Sequence, residues 1–536
     1  MMSSLLHVRR PMLGGQFWRQ WGSRLKQWDN HFVQWDSHLA QWDSHFRQSV
    51  KLSTSALSSH PFSSSMPHDS SRCDNDGVTW LHPGNFRVDM MIAKNKNKHF
   101  QSGSQVTINT DTLLTAEDFS HVLVHLYNKV EVLRTCFRQR DDQWWYCSMP
   151  KPALDFKVVE GPDSLKESQA MINTNFNLTD GPLWKVRLLQ SPTDTPCIWP
   201  ELNEKFPYRN KLLFSFHHGV IDGNDSLSIT AWFVKLLDDY ISKKPIGNQQ
   251  LGQLIDHSQT TEIERQVKVD LEKDPEKLKL FLNELKNNEH TPLLIEAFGT
   301  PEATNVTTEY LECGILDTSE VKKFHNMCIS QGISFNSGFI GIVNTALVEL
   351  VREAGVLRDV YNINSLHSID LRRYITCYSK VLPMGYHASP LSHTMSTPYN
   401  VKDHFWKYAK QFDTEFREKL ENKQVFKDLA MRRMILPENV SLDELSAAPP
   451  TPRHDYSFSN MYLPKFVNFG VGRHVQITGL KILLSLVASD FPFFSGIRNL
   501  RDKVQFDVWH STHCMTSDTA QKCFDKVLSV FREKIK

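Results

Sequence analysis

The segment His217-His218-Gly219-Val220-Ile221-Asp222-Gly223 constrains this chain more than any other. It follows the apolar run Leu212-Leu213-Phe214-Ser215-Phe216, which reads as a buried strand. The histidines therefore stand where a strand ends and a loop opens toward a cavity. Asp225 or Ser226 is expected to cap a following helix, whose Leu227, Trp232, Leu236 and Tyr240 fall near helical spacing. A strand, a histidine loop and a helix in this order can hold an imidazole rigidly at a pocket wall.

Bulk properties narrow the classes. At 536 residues the chain exceeds one ordinary core and suits two domains. Its 61 Lys and Arg nearly cancel 60 Asp and Glu, so no global field favours nucleic acid. No stretch approaches the roughly 18 uninterrupted apolar residues of a membrane span; 477–494 comes nearest, broken by Lys481 and Asp490. Nine cysteines, odd in number and without a CxxC pair, fit a reducing compartment and a cytoplasmic enzyme.

The ends differ from the middle. Trp21, Leu25, Trp28, Phe32, Trp35, Leu39, Trp42 and Phe46 alternate steps of four and three, a coiled-coil seam within residues 20–46. It reads either as a self-associating helix or as a tandem duplication that the fold can spare. Four Trp are awkward to pack as knobs, which favours the second. Residues 1–28 carry five basic and no acidic side chains, as a mitochondrial import sequence does, and 52–77 read as a Ser-rich linker. The expected division is an N-terminal extension over 1–77, a first lobe with its crossover over 78–305 and a second lobe over 306–536. Thr115 and Asp118 form a capping-box pattern before Phe119, Val122, Leu123 and Leu126. One helix is expected around 264–285 in the crossover. Asp317 with Glu320, and then Ser334, open two helices that stop at Gly332 and Gly355. Strands are expected over 360–366 and 503–508, with a closing helix over 517–534. Alternating strands and helices indicate an α/β or α+β fold.

The motif resembles the HHxxxDG signature of the chloramphenicol-acetyltransferase-like superfamily, which includes alcohol acetyltransferases and condensation domains. Val132-Leu133-Arg134-Thr135 is similar to the family segment after the first helix, although Lys129-Val130-Glu131 replaces its usual lead-in. Phe176-Asn177-Leu178 with Gly181-Pro182-Leu183-Trp184, and Ser368-Ile369-Asp370-Leu371-Arg372, resemble two further family stretches in the family's order. Ser459-Asn460-Met461 is similar to a family turn in which Tyr462 replaces a glycine. The resemblance covers roughly residues 80–536. It implies two similar lobes, each a mixed sheet with flanking helices, enclosing a central tunnel.

Transfer of an acyl group to an alcohol or amine needs a base for the attacking proton, and imidazole suits that near neutral pH. The resemblance makes His218 that base and His217 a packed neighbour. Asp222 would be either the partner of a dyad with His218 or, as the resemblance implies, a brace paired with Arg372, with Arg373 as fallback. Gly223 would keep a side chain out of the tunnel, and Ser459 or Asn460 would donate to the tetrahedral oxyanion. No metal and no resident cofactor are expected; acyl-coenzyme A is the implied co-substrate and a small alcohol or amine the acceptor. Two alternatives remain: a condensation-type domain using a carrier-protein thioester, and a non-catalytic scaffold of the same fold.

Overall fold

A computed structural model describes residues 78–536, apart from 150–152, 161–163, 191–196, 198, 287–289, 303–305, 377–380, 437–440, 448–450, 462–470 and 502. The basic N-terminus, the Trp heptads, the Ser-rich linker and Tyr462 lie outside the described residues.

Two mixed sheets organise the chain, one in each lobe. The first has five strands in the order Val475–Leu484, Ser102–Thr110, Tyr208–Phe216, Trp184–Gln190, Asp155–Glu160. All neighbours are antiparallel except the last two, which are parallel. The apolar run of Tyr208–Phe216 is buried over its last six residues, as a central strand requires. Its neighbour approaches closely at Gly103, where a Cβ would meet the Phe214 carbonyl oxygen. Helices Ala116–Lys129 and Gly223–Ile241 pack together, with Phe119 stacked on Phe233 and Phe214 edge-on to it in the shared core.

The second sheet has six strands in the order Ala388–Pro398, Val360–Asp370, Tyr456–Met461, Phe493–Leu500, Lys503–Ser511, Thr308–Asp317. Tyr456–Met461 runs parallel to both of its neighbours. Helix Phe335–Glu353 is buried around most of its circumference, between Ser517–Lys534 and Phe405–Glu421. Among the described residues no single helix is long and apolar enough to cross a membrane.

Local rules account for most boundaries. Thr115 and Asp118 form a reciprocal capping box, as do Asp317 and Glu320; Ser334 caps the next helix, and Gly332 and Gly355 take positive φ beyond helix ends. Three expectations need correction. The crossover holds two helices, Ser258–Glu272 and Pro275–Lys286, because Pro275 has no N–H for a continuing ladder. The 360–366 strand runs on to Asp370, and Leu371–Tyr374 is a 3-10 turn instead of a strand. The cap before Gly223–Ile241 is Asp222, not Asp225 or Ser226. Strand Val475–Leu484 joins the first sheet, its start held by the Asp238 carboxylate, which accepts from the N–H groups of His474 and Val475. Leu293 and Leu294, from the 78–305 stretch, lie in the second core.

Candidate functional site

The site begins where strand Tyr208–Phe216 ends. His217 N–H donates to the Leu183 carbonyl at 2.9 Å, and Val220 N–H returns to the His217 carbonyl at 3.0 Å. This tight turn points the two imidazoles differently. The His217 ring is fully buried between Phe137 and Phe176. Its Nδ1 accepts the Gly219 N–H at 3.0 Å, so the proton sits on Nε2, which has no hydrogen-bond partner among the described residues. Burial, helped by the nearby His218, lowers its pKa to about 3. A Cβ at Gly219 would lie 2.9 Å from His217 Cε1, so the close approach in this motif is at Gly219. At Gly223 a Cβ would meet only Met461 Sδ, at 3.5 Å, an ordinary contact.

His218 takes the opposite tautomer. Its Nδ1 lies 2.8 Å from the Ile221 carbonyl oxygen, which can only accept, so Nδ1 carries the proton and Nε2 is an acceptor. His218 is packed deep in the molecule, yet the residue is not fully covered. Burial lowers its pKa; the Ile221 bond and the Asp222 charge offset part of this, and the Lys94 ammonium adds to it. The Tyr386 ring stands edge-on at 5.2 Å between centroids. Tyr146 supports the loop from the other side, its hydroxyl donating to the Gly219 carbonyl at 2.6 Å.

At the far end of the motif every oxygen has a partner. Asp222 Oδ1 accepts the N–H groups of Asn224 and Asp225, and Oδ2 takes Arg372 Nη1 at 2.6 Å and the His387 N–H at 3.2 Å. Asp225 takes Arg372 Nη2 at 2.9 Å and the Gly385 N–H at 2.8 Å. Arg372 also donates to the carbonyls of Pro383 and Gly385 and to Asp370. Asn224 Nδ2 reaches Asp370 Oδ2 at 2.9 Å. One guanidinium thus ties the first-lobe motif to the second-lobe strand and turn. Burial works against both carboxylates; at Asp222 the charge and hydrogen bond of Arg372, the nearby His387 and the Asp225 N–H together outweigh it and the pKa falls, while Asp225 is pushed well above the carboxylate range.

Asp222 makes no hydrogen bond to His218, so these residues do not form a dyad. The Arg373 guanidinium lies over the Tyr374 ring. Ser459 is half-buried and Asn460 exposed on strand Tyr456–Met461, and Met461 is the strand residue that meets the motif, at Gly223. The unusual lead-in holds the crossover: Lys129 Nζ donates to the Gln249 carbonyl at 3.2 Å, and Glu131 Oε2 accepts the Leu254 N–H at 2.9 Å. Sequence reasoning missed Asp225 as an Arg372 partner, and it missed Tyr146, Tyr386 and Lys94. Only Gly385, with φ of +130°, marks a special position beside one of them.

No protein-family model matches the chain, and no curated protein sequence matches it. Solved structures do. The epimerization domain from the third module of tyrocidine synthetase B superposes with a TM-score of 0.58 at 12% identity, over 87% of this chain and 98% of that one. The trichothecene 15-O-acetyltransferase TRI3 from Fusarium sporotrichioides gives 0.59 at 12%, over 85% and 94%. A variant starter condensation domain of rhizomide synthetase, solved with C8-CoA, gives 0.59 at 11%, over 85% and 94%. Two mixed sheets, a histidine loop at the end of a central strand and these superpositions give this chain the two-lobed fold of the chloramphenicol-acetyltransferase-like and condensation-domain superfamily.

Proposed function

We propose that the protein is an acyltransferase that moves an acyl group from an acyl-coenzyme A thioester to the hydroxyl or amine of a small acceptor. The observation that carries this reading is the His218 tautomer. With Nδ1–H spent on the Ile221 carbonyl, Nε2 is left as a lone-pair acceptor on a residue that is not fully covered. Burial favours the neutral form, so the ring is a base at neutral pH. The acceptor's proton passes to Nε2 as its oxygen or nitrogen attacks the thioester carbonyl. The same proton then leaves with the thiolate, and no covalent enzyme intermediate is needed.

Asp222 acts through position. Bonded to Arg372, it caps the helix that follows the loop and joins the two lobes on either side of His218. His217 packs behind the loop. Ser459 and Asn460 are retained as candidates for the acceptor side, on the strand that meets Gly223 through Met461. That TRI3 is an acetyltransferase and that the rhizomide domain was solved with C8-CoA support the donor class.

The test is free-thiol release from acetyl-, octanoyl- and longer acyl-coenzyme A with a panel of alcohols and amines. The wild-type chain should release thiol in an acceptor-dependent way. His218→Ala should be slower by about 10²–10⁴-fold, the usual contribution of a positioned base. Release only from carrier-bound thioesters would replace the donor by that of a condensation domain. Equal rates in both proteins would remove His218 from the chemistry.

A further inference from the structure

A second group of reactive side chains lies on segments of the other lobe, with the Lys94 ammonium a charge common to it and to His218. Ser392, on strand Ala388–Pro398, has its Oγ 3.2 Å from His454 Nε2. His454 Nδ1 lies 3.1 Å from Asp490 Oδ2. The side chains are in the order nucleophile, base, carboxylate, and they come from three separate segments. Their backbone is firmly held. The N–H groups of Arg453 and His454 both donate to the Asp490 carbonyl, at 2.8 and 3.1 Å. Asp455, the next residue, accepts the N–H groups of Leu293 and Asn364 at 2.6 and 2.7 Å.

The charges around this group favour its use. Arg432, from helix Gln424–Met434, places Nη2 3.0 Å from Ser392 Oγ. That guanidinium is the donor beside the nucleophile that can face the oxyanion developing on the carbonyl oxygen of a bound acyl group. Lys419 Nζ donates to the Ser392 carbonyl at 3.0 Å. Burial works against the Asp490 carboxylate, but His454, Arg432 and Lys94 outweigh it and hold it well below the ordinary range. Ser392, Arg432 and Asp490 are half-buried, which leaves the hydroxyl reachable, whereas His454 is almost fully covered. The His454–Asp490 contact is close but off-line for a hydrogen bond, the looseness usual in unliganded catalytic groups.

We infer that Ser392, His454 and Asp490 form a second, nucleophilic centre that takes an acyl group from an ester or thioester and passes it to water. Ser392 Oγ attacks the carbonyl carbon while its proton moves to His454 Nε2, and Asp490 stabilises the imidazolium. The tetrahedral intermediate collapses, the bond to the leaving alcohol or thiol breaks, and His454 returns the proton to it. Water then attacks the acyl-serine ester, its proton passes to His454, and a carboxylic acid leaves as Ser392 is restored. None of these steps uses His218, so this inference stands apart from the acyl-transfer reading.

The experiment is labelling of the full chain with a fluorophosphonate serine-hydrolase probe, with the adduct located by peptide mass spectrometry. Wild type and His218→Ala should both be labelled at Ser392, and Ser392→Ala should lose that adduct. His454→Gln should slow labelling by about a hundredfold or more. Asp490→Asn gives a second, milder reading should His454→Gln fail to fold, and it too should slow labelling. Absence of an adduct on Ser392 in the wild-type chain would overturn the inference. So would equal labelling rates in the wild type and a folded His454→Gln or Asp490→Asn variant.

Discussion

The two ends of the histidine motif are built on opposite principles. At its start, His218 makes one hydrogen bond and leaves Nε2 bare; at its end, Asp222 and Asp225 have their oxygens taken up by Arg372 and backbone N–H groups. The imidazole proposed to exchange a proton is held from behind by Ile221 and left open in front. A group that must hold two lobes together is saturated. The carboxylate in HHxxxDG is therefore accounted for by structure, and the proposed role of the second histidine rests on its open nitrogen.

The contrast can be broken most forcefully at the saturated end. Arg372→Ala would leave Asp222 and Asp225 buried without a cation and strip the Pro383 and Gly385 carbonyls of a donor. Removing one partner of a buried pair costs about 3–5 kcal/mol, so the urea midpoint should fall accordingly. Asp222→Asn should cost less, about 1–3 kcal/mol, because Asp225 and Asp370 still face Arg372. If the two variants proved equally stable to urea, the shared-guanidinium account would be wrong.

Acid separates the two ends by a smaller and more gradual effect. His217 and His387 are buried neutral, each with its pKa lowered from 6.5 to about 3. In the unfolded chain they take up protons near 6.5, so the unfolded state binds more protons below that pH. Their contribution is complete above about pH 6.5 and is lost as pH falls toward 3, by about 1.4 kcal/mol per pH unit for each ring. Asp222, with its pKa lowered from 3.8, keeps its charge through most of this range. Stability measured from pH 7 to 5 should therefore decline in wild type. It should decline less in a folded His217→Gln variant.

What could be read in the sequence was what short spacing decides. The strand before the motif, the Thr115–Asp118 box and the helices opened by Asp317 and Ser334 each rest on residues within a few positions of one another. The misassigned cap shows the limit. Asp222, Asp225 and Ser226 are all competent caps, and the choice depends on how Asp222 divides its two oxygens between the helix and Arg372, 150 residues away. Tyr386 over His218, strand Val475–Leu484 in the first sheet, and Cys136 facing Cys147 across paired strands are all set by long-range register. No local pattern carries them. The broken crossover helix was different, because Pro275 announces the break in the sequence itself.

The proposed transfer turns on a single nitrogen, and nitrogen-15 NMR of the two motif histidines in uniformly labelled protein at pH 7 reads its protonation. The predicted spectrum shows two neutral rings of opposite tautomer: His217 protonated at Nε2, and His218 protonated at Nδ1 with an unprotonated Nε2. An Nε2-protonated or doubly protonated His218 would contradict it, since neither form offers the lone pair on which the proposed transfer depends.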